Sequence, residues 1–92
     1  MKASPWFFVP KQLISPRLRV FCLPYAGGSA TAFHSWSKLL PDDVEVCALQ
    51  LPGRGMRFKE NNITRMPELM DALEREMFPH LNSCDYVLFG HS

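Results

Sequence analysis

The chain reaches Ser92 through a short apolar run: Tyr86 to Phe89 is followed by Gly90, His91 and Ser92. A serine two residues after a glycine, at the end of a strand-like segment, matches the first three positions of G-x-S-x-G. That motif is a sharp strand-to-helix turn that exposes a serine Oγ as a nucleophile, with small residues where the turn is crowded. The fourth and fifth positions are not in this sequence. A Gly-His-Ser tripeptide alone occurs by chance, so its weight comes from its place after the run, and the plain alternative is an ordinary strand end.

A second segment with chemical potential is LPYAGGSA, residues 23–30. An apolar run ends, Gly27 and Gly28 supply a tight turn, and helix-forming residues follow. Backbone N–H groups in such a loop can point at an anion. One use is an oxyanion hole, which in hydrolases of this layout takes one N–H from the loop after an early strand. A phosphate cradle is a poorer fit, because the loop lacks G-x-G-x-x-G and the lysine of G-x-x-x-x-G-K-[ST]. A turn that simply needs glycine is the third reading.

The histidines offer no general base. His91 adjoins Ser92 on a turn where neighbouring side chains diverge. His34 falls on the polar side of its predicted helix, and His80 in a last helical turn, where the dipole favours a cation. In a serine hydrolase of this kind the order is Ser, then Asp or Glu, then His. Both partners of Ser92 would follow it, so none of the acids present belongs to a triad.

These segments need elements to hold them. Residues 17–23 (RLRVFCL), 44–51 (VEVCALQL) and 86–89 read as strands. Ser29 is placed to cap a helix reaching Leu40, with Ala32, Phe33, Trp36, Leu39 and Leu40 on one face. Thr64 is placed to cap a second helix reaching about Leu81, striped by Met66, Leu69, Met70, Leu73, Met77 and Leu81. Strand–helix–strand–helix–strand predicts an α/β fold with a parallel sheet and crossover helices, and the near-continuous apolar strands predict a sheet covered on both faces. Residues 1–16 carry three prolines and no period; they read as an irregular lead-in to a domain over 17–92, with Trp6, Phe7 and Phe8 covering apolar surface.

Composition narrows the classes. The 92 residues are 47% hydrophobic and 21% charged, which fits a globular chain. A formal charge of +1 argues for neither nucleic acid nor an anionic membrane as partner. Residues 1–41 hold five basic residues and no acid; residues 42–92 hold five basic and nine acidic. Four of those nine acids, Glu68, Asp71, Glu74 and Glu76, fall on the second predicted helix and read as its solvated face. Cys22, Cys47 and Cys84 have no zinc spacing, and two of them sit in apolar runs, which suits a reducing compartment. The apolar stretch near the N-terminus is too short for a signal peptide or a membrane span, so a cytoplasmic protein is expected.

Taken together, RLRVFCLPYAGGSATAFHSW, LLPDDVEVCALQLPGRGMR and YVLFGHS resemble the N-terminal part of type II thioesterases, from about Trp6 onward. These are stand-alone α/β-hydrolases that accompany nonribosomal peptide and polyketide synthases; animal medium-chain fatty-acyl thioesterases are similar. The resemblance implies the N-terminal part of an α/β-hydrolase fold, truncated at the nucleophile elbow, with the 17–23 strand between the other two. It implies Ser92 as nucleophile, Ala26 as donor of one oxyanion N–H, and Tyr25, Gly27 and Gly28 as the supporting loop. The triad Asp and His fall outside the chain. The implied substrate is an acyl thioester on the phosphopantetheine of an acyl or peptidyl carrier protein, hydrolysed in an editing role without metal or cofactor. One departure is visible: the family usually has P-G-R-E before a further arginine, whereas Gly55 follows Pro52-Gly53-Arg54, which puts the anchoring of that loop in question.

A chain ending at Ser92 is expected to be inactive by itself and to bare an apolar sheet edge. Two alternatives stand beside the thioesterase reading: a non-catalytic docking fragment, and another serine esterase or lipase of the same fold.

Overall fold

Three of the apolar runs form the parallel part of a sheet in the computed structural model of the chain, which describes residues 1–2, 4–23, 33–52, 57, 59–60, 63 and 65–90. Among these, the strands are β1 (Phe7–Phe8), β2 (Leu18–Leu23), β3 (Val44–Leu49) and β4 (Asp85–Gly90), in the sheet order β1-β3-β2-β4. β2 pairs parallel with β3, Leu18 opposite Val44, and parallel with β4, Leu18 opposite Asp85 and Leu23 opposite Gly90. The expected placement of the first long strand between the other two is observed.

Strand alternation sorts the core into two layers, because successive side chains point to opposite faces. Phe21, Cys47 and Leu49 share one cluster with Phe7, Val9 and Met77. Cys22, Val46 and Ala48 share the other with Phe33, and Phe8, Trp36, Leu40 and Phe89 pack against it. α2 (Met66–Met77), which runs into a 3-10 turn over Phe78–His80, covers the first cluster; α1 (Trp36–Leu39) covers the second. All six residues of β3 are buried. Among the described residues, no helix is long and apolar enough to cross a membrane.

The helices differ from expectation. Ser29 and Thr64 lie outside the described residues, and the described part of the first helix is a single turn. Phe33 and Trp36 pack inward, but Leu39 is 79% exposed. Leu40, already extended at φ −100° and ψ 160°, turns back into the core instead. On α2 the stripe holds only toward its C-terminal end. Leu73 and Met77 reach the core, while Met66 and Met70 stay exposed. Glu68, Asp71 and Glu74 are solvated, as their positions suggested.

The proline-bearing lead-in, expected to be irregular, contributes a strand. Phe7 and Phe8 pair antiparallel with Leu49 and Ala48 of β3, and Phe7 is buried at 2% exposure. Two residues are too few to show a period, so this strand is defined by its partner and not by its own pattern.

Glu45 is the second departure. It lies within an apolar strand and is fully buried at 0% exposure, so it is no solvated acid. Its Oε2 accepts from the Met1 ammonium and from the Leu13 N–H, both at 2.7 Å. Its Oε1 accepts from Arg19 Nε at 2.8 Å and from the Cys47 thiol at 3.6 Å. Arg19 in turn donates through Nη1 to the Ser83 hydroxyl and, at 3.4 Å, to the His80 carbonyl. Burial pushes the Glu45 carboxyl up, but the Leu13 N–H, the Met1 ammonium and Arg19 outweigh it and hold the group below the ordinary carboxylate range.

Two expectations follow. The carboxyl is depressed in the fold, so its stabilisation is present above its unfolded value of about 4.5 and is lost as pH falls through the folded value. Glu45→Gln should lose about 3–5 kcal/mol at neutral pH, since Arg19 and the ammonium are left buried without a counter-charge, and should show a shallower acid limb in urea titrations. An unchanged acid limb in that variant would show that Glu45 is not the group responsible.

The second concerns β4. Tyr86, Val87 and Leu88 are 44%, 48% and 53% exposed, and its outer edge is unpaired among the described residues. A strand with both an open edge and bare apolar faces templates association. The polypeptide of residues 1–92 should therefore self-associate, and Val87→Lys with Leu88→Lys should reduce this in sedimentation velocity. A monomeric wild-type polypeptide with a sharp, reversible melt would count against it.

Candidate active site

The site has to be built at the C-terminal edge of the parallel strands, where open α/β sheets hold their ligands. Two candidate segments leave from there. Pro24 to Gly28 follows β2, and His91-Ser92 follows β4. Tyr25, Ala26, Gly27, Gly28 and Ser92, together with His91, lie outside the described residues. Their points of departure are described: Leu23 and Gly90 stand opposite each other in a parallel pair. Adjacent strands are about 4.8 Å apart, so the two segments begin side by side at the ends of parallel strands. A backbone N–H from one and a nucleophile from the other are the parts of an acyl-transfer site that such a pairing can bring together. At Gly90 no described residue supplies the crowding expected of an elbow, since an added Cβ would meet nothing within 4 Å.

An aromatic cluster sits beside this edge. Phe89 packs against Trp36 with ring centroids 4.8 Å apart and against Phe33 at 6.3 Å, and Phe33 meets Trp36 at 5.0 Å, all edge-to-face. Such contacts contribute roughly 0.5–1.5 kcal/mol each beyond area burial. Phe8 stacks on the exposed ring of His34 at 5.8 Å.

The loop after β3 is anchored by Arg57, although Gly53, Arg54 and Gly55 lie outside the described residues. The Arg57 guanidinium lies 4.4 Å from the centre of the Trp6 ring. It donates through Nε and Nη2 to the two carboxylate oxygens of Glu60, at 2.7 and 2.8 Å, and through Nη1 to the Gln50 carbonyl at 2.8 Å. The hydrogen bond from Arg57 holds the Glu60 carboxyl below its usual range. Gln50 ties in the N-terminal segment: its N–H donates to the Trp6 carbonyl at 2.7 Å and its amide to Ser4 and Pro5 carbonyls. A local carboxylate for this loop therefore exists at Glu60, three residues after Arg57, whatever Gly55 does.

The remaining reactive side chains are not poised for catalysis. Burial pushes the Cys22 thiol up to about 11 and the Cys47 thiol well above its ordinary value, so both stay protonated. His80 corrects an expectation. Burial, then the charges of Arg19 and the Met1 ammonium, lower its basicity, so the cation that a helix terminus would favour is disfavoured here. Sequence reasoning missed Glu45 and the Arg57–Glu60–Gln50 anchor. The visible signal for the first was a lone charge in each of two adjoining apolar strands, Arg19 and Glu45.

The parallel pairs and flanking helices are those of an α/β-hydrolase, and comparison with known proteins narrows the class. The thioesterase domain family matches residues 18–92. The chain is 37% identical over 91 residues to the gramicidin S biosynthesis protein GrsT of Aneurinibacillus migulanus, covering 99% of this chain and 35% of GrsT. Among solved structures, the type II thioesterase BorB from the borrelidin biosynthetic cluster superposes with a TM-score of 0.87 at 30% identity, over 100% of this chain and 37% of that one. RedJ, a thioesterase from the prodiginine pathway of Streptomyces coelicolor, gives 0.65 at 44% identity, over 85% and 29%. The chain belongs to the thioesterase family, and it spans about a third of the length of these relatives.

Arg57 yields a prediction. Arg57→Met should cost about 1.5–3 kcal/mol in chemical denaturation, the scale of charge-assisted hydrogen bonds lost from a buried donor. A double-mutant cycle with Glu60→Gln should show coupling between the two. Strict additivity would mean that the Gln50 and Trp6 contacts alone anchor the loop.

Proposed function

We propose that this chain supplies the nucleophile-bearing part of a serine thioesterase that releases acyl groups from the phosphopantetheine thiol of acyl or peptidyl carrier proteins, in an editing role beside peptide or polyketide synthases. The observation that carries this reading is the parallel β2–β4 register, Leu23 opposite Gly90, in a chain whose residues 18–92 match the thioesterase family. GrsT is named for gramicidin S biosynthesis and BorB comes from the borrelidin biosynthetic cluster, which supports the synthase setting. Free thiols at Cys22, Cys47 and Cys84 suit work in a reducing cytoplasm.

In this scheme the Ser92 Oγ attacks the thioester carbonyl carbon as its proton passes to a histidine. The carbonyl oxygen, now an oxyanion, receives the N–H of Ala26 and one from the residue after the serine. Collapse expels the pantetheine thiol, protonated by the same histidine, and leaves an ester on Ser92. A water deprotonated by that histidine then attacks the ester, and the acid departs. The histidine and its orienting acid are assigned to residues beyond this chain, and no metal or cofactor enters a step. By this scheme residues 1–92 alone lack the base and one oxyanion donor.

The test is hydrolysis of an acyl-carrier-protein thioester by residues 1–92 joined to their natural continuation, or grafted in place of the matching third of GrsT. Ser92→Ala should lower kcat by at least about four orders of magnitude. Mass spectrometry should find the acyl adduct on the Ser92 peptide. Turnover by residues 1–92 alone, or a Ser92→Ala protein that keeps its activity, would sink the assignment. Faster hydrolysis of an oxygen ester than of the thioester would move it to an esterase.

A further inference from the structure

We infer that the Phe33–Trp36–Phe89 cluster is a positioning device for catalysis: it pins the residue that follows the segment containing Ala26 to the strand that precedes Ser92. This rests on the serine-thioesterase reading above. The segment 24–32 leaves β2 at Leu23 and is followed by Phe33. Its first end is tied to β4 by the sheet, since Leu23 stands opposite Gly90. Its second end is tied to β4 by the rings, since Phe33 and Trp36 both pack on Phe89, with centroids at 6.3 and 4.8 Å. Phe89 lies three residues before Ser92.

Both flanking residues of the segment, Leu23 and Phe33, are thus referred to one short stretch of β4, and Phe33 is seated on β2 and β3 as well. The two ties differ in kind. Pairing of β2 with β4 uses backbone hydrogen bonds that any side chains would allow. The return point depends on side-chain packing: Phe33 and Trp36 meet Phe89, and with Leu40 they also pack on Cys22, Val46 and Ala48 of β2 and β3. The nearby stack of Phe8 on His34, 5.8 Å between rings, braces the same turn from the β1 side. A donor held at a set distance from a nucleophile matters only when negative charge develops on the carbonyl oxygen. Loosening the return point therefore costs transition-state stabilisation and leaves substrate binding alone.

The experiment uses the same assembled enzyme as above, with Trp36→Leu, Trp36→Phe and Phe21→Leu compared well below their melting temperatures. Phe21 is a fully buried ring of the opposite core cluster and serves as a control for general loss of packing. Loss of a whole oxyanion donor costs about 10²–10³ in rate, so a misplaced one in Trp36→Leu should cost about ten- to a hundredfold in kcat, with KM within about twofold. Trp36→Phe should restore most of the rate, and Phe21→Leu should lower the melting temperature without that loss. A Trp36→Leu enzyme that loses no more kcat than Phe21→Leu, or that loses its efficiency through KM, overturns the inference while leaving Ser92 in place. Full activity in Ser92→Ala instead overturns the reading on which the inference rests.

Discussion

A buried carboxylate with four donors around it is the constraint on which the rest of the structure depends. Glu45 has no solvent to fall back on, so its charge is tolerable only if its partners arrive together. Those partners come from separate parts of the chain. Met1 and Leu13 belong to the N-terminal segment, Arg19 to β2, and Cys47 to β3 itself. Through Ser83 and the His80 carbonyl, Arg19 extends the network to the turn after α2. A register slip of β2 against β3 would strand a charge as well as misplace a hydrophobic face, so the ion pair and the pleat specify the same alignment.

That alignment is what makes the opposite end of the sheet usable. The charge network sits toward the starts of the strands and the candidate chemistry at their ends. With β2, β3 and β4 held in register, Leu23, Leu49 and Gly90 mark one edge. Two of the three segments leaving that edge have their own anchoring contacts. The segment after β2 is followed by Phe33, which with Trp36 packs on Phe89. The loop after β3 is clamped by Arg57 between Trp6 and Glu60, and β1 is laid along Leu49 and Ala48 by the same group of contacts. The segment after β4 carries Ser92 and starts beside the first. In the proposed reading this edge carries the chemistry, since an oxyanion donor and a nucleophile would come from neighbouring strand ends.

Legibility in the sequence followed the length over which a signal repeats. The three long strands, their parallel sense and the crossover helices were readable because six-residue apolar runs and a twelve-residue helix show their period. β1 was not, because two residues have no period and pair only where β3 offers an edge. The inward faces of the helices were half readable: Trp36, Leu73 and Met77 pack as their spacing implies, whereas Leu39, Met66 and Met70 do not, since spacing names a face but not how far the sheet extends beneath it. Of the candidate site, Ser92 and the Tyr25–Gly28 loop were visible as motifs. Arg57's role was not readable, because the carboxylate it uses is Glu60, three residues after it, and not the residue at position 55.

By itself, the sequence determined the class of the protein, an α/β-hydrolase of the thioesterase family, because local periods and short motifs are properties of neighbouring residues. The tertiary structure alone decided which charge is buried, that the lead-in joins the sheet, and that Phe33 and Trp36 meet Phe89. Each of these is a contact between residues dozens of positions apart. Such contacts depend on strand register and sheet order, which set distances that no local pattern encodes.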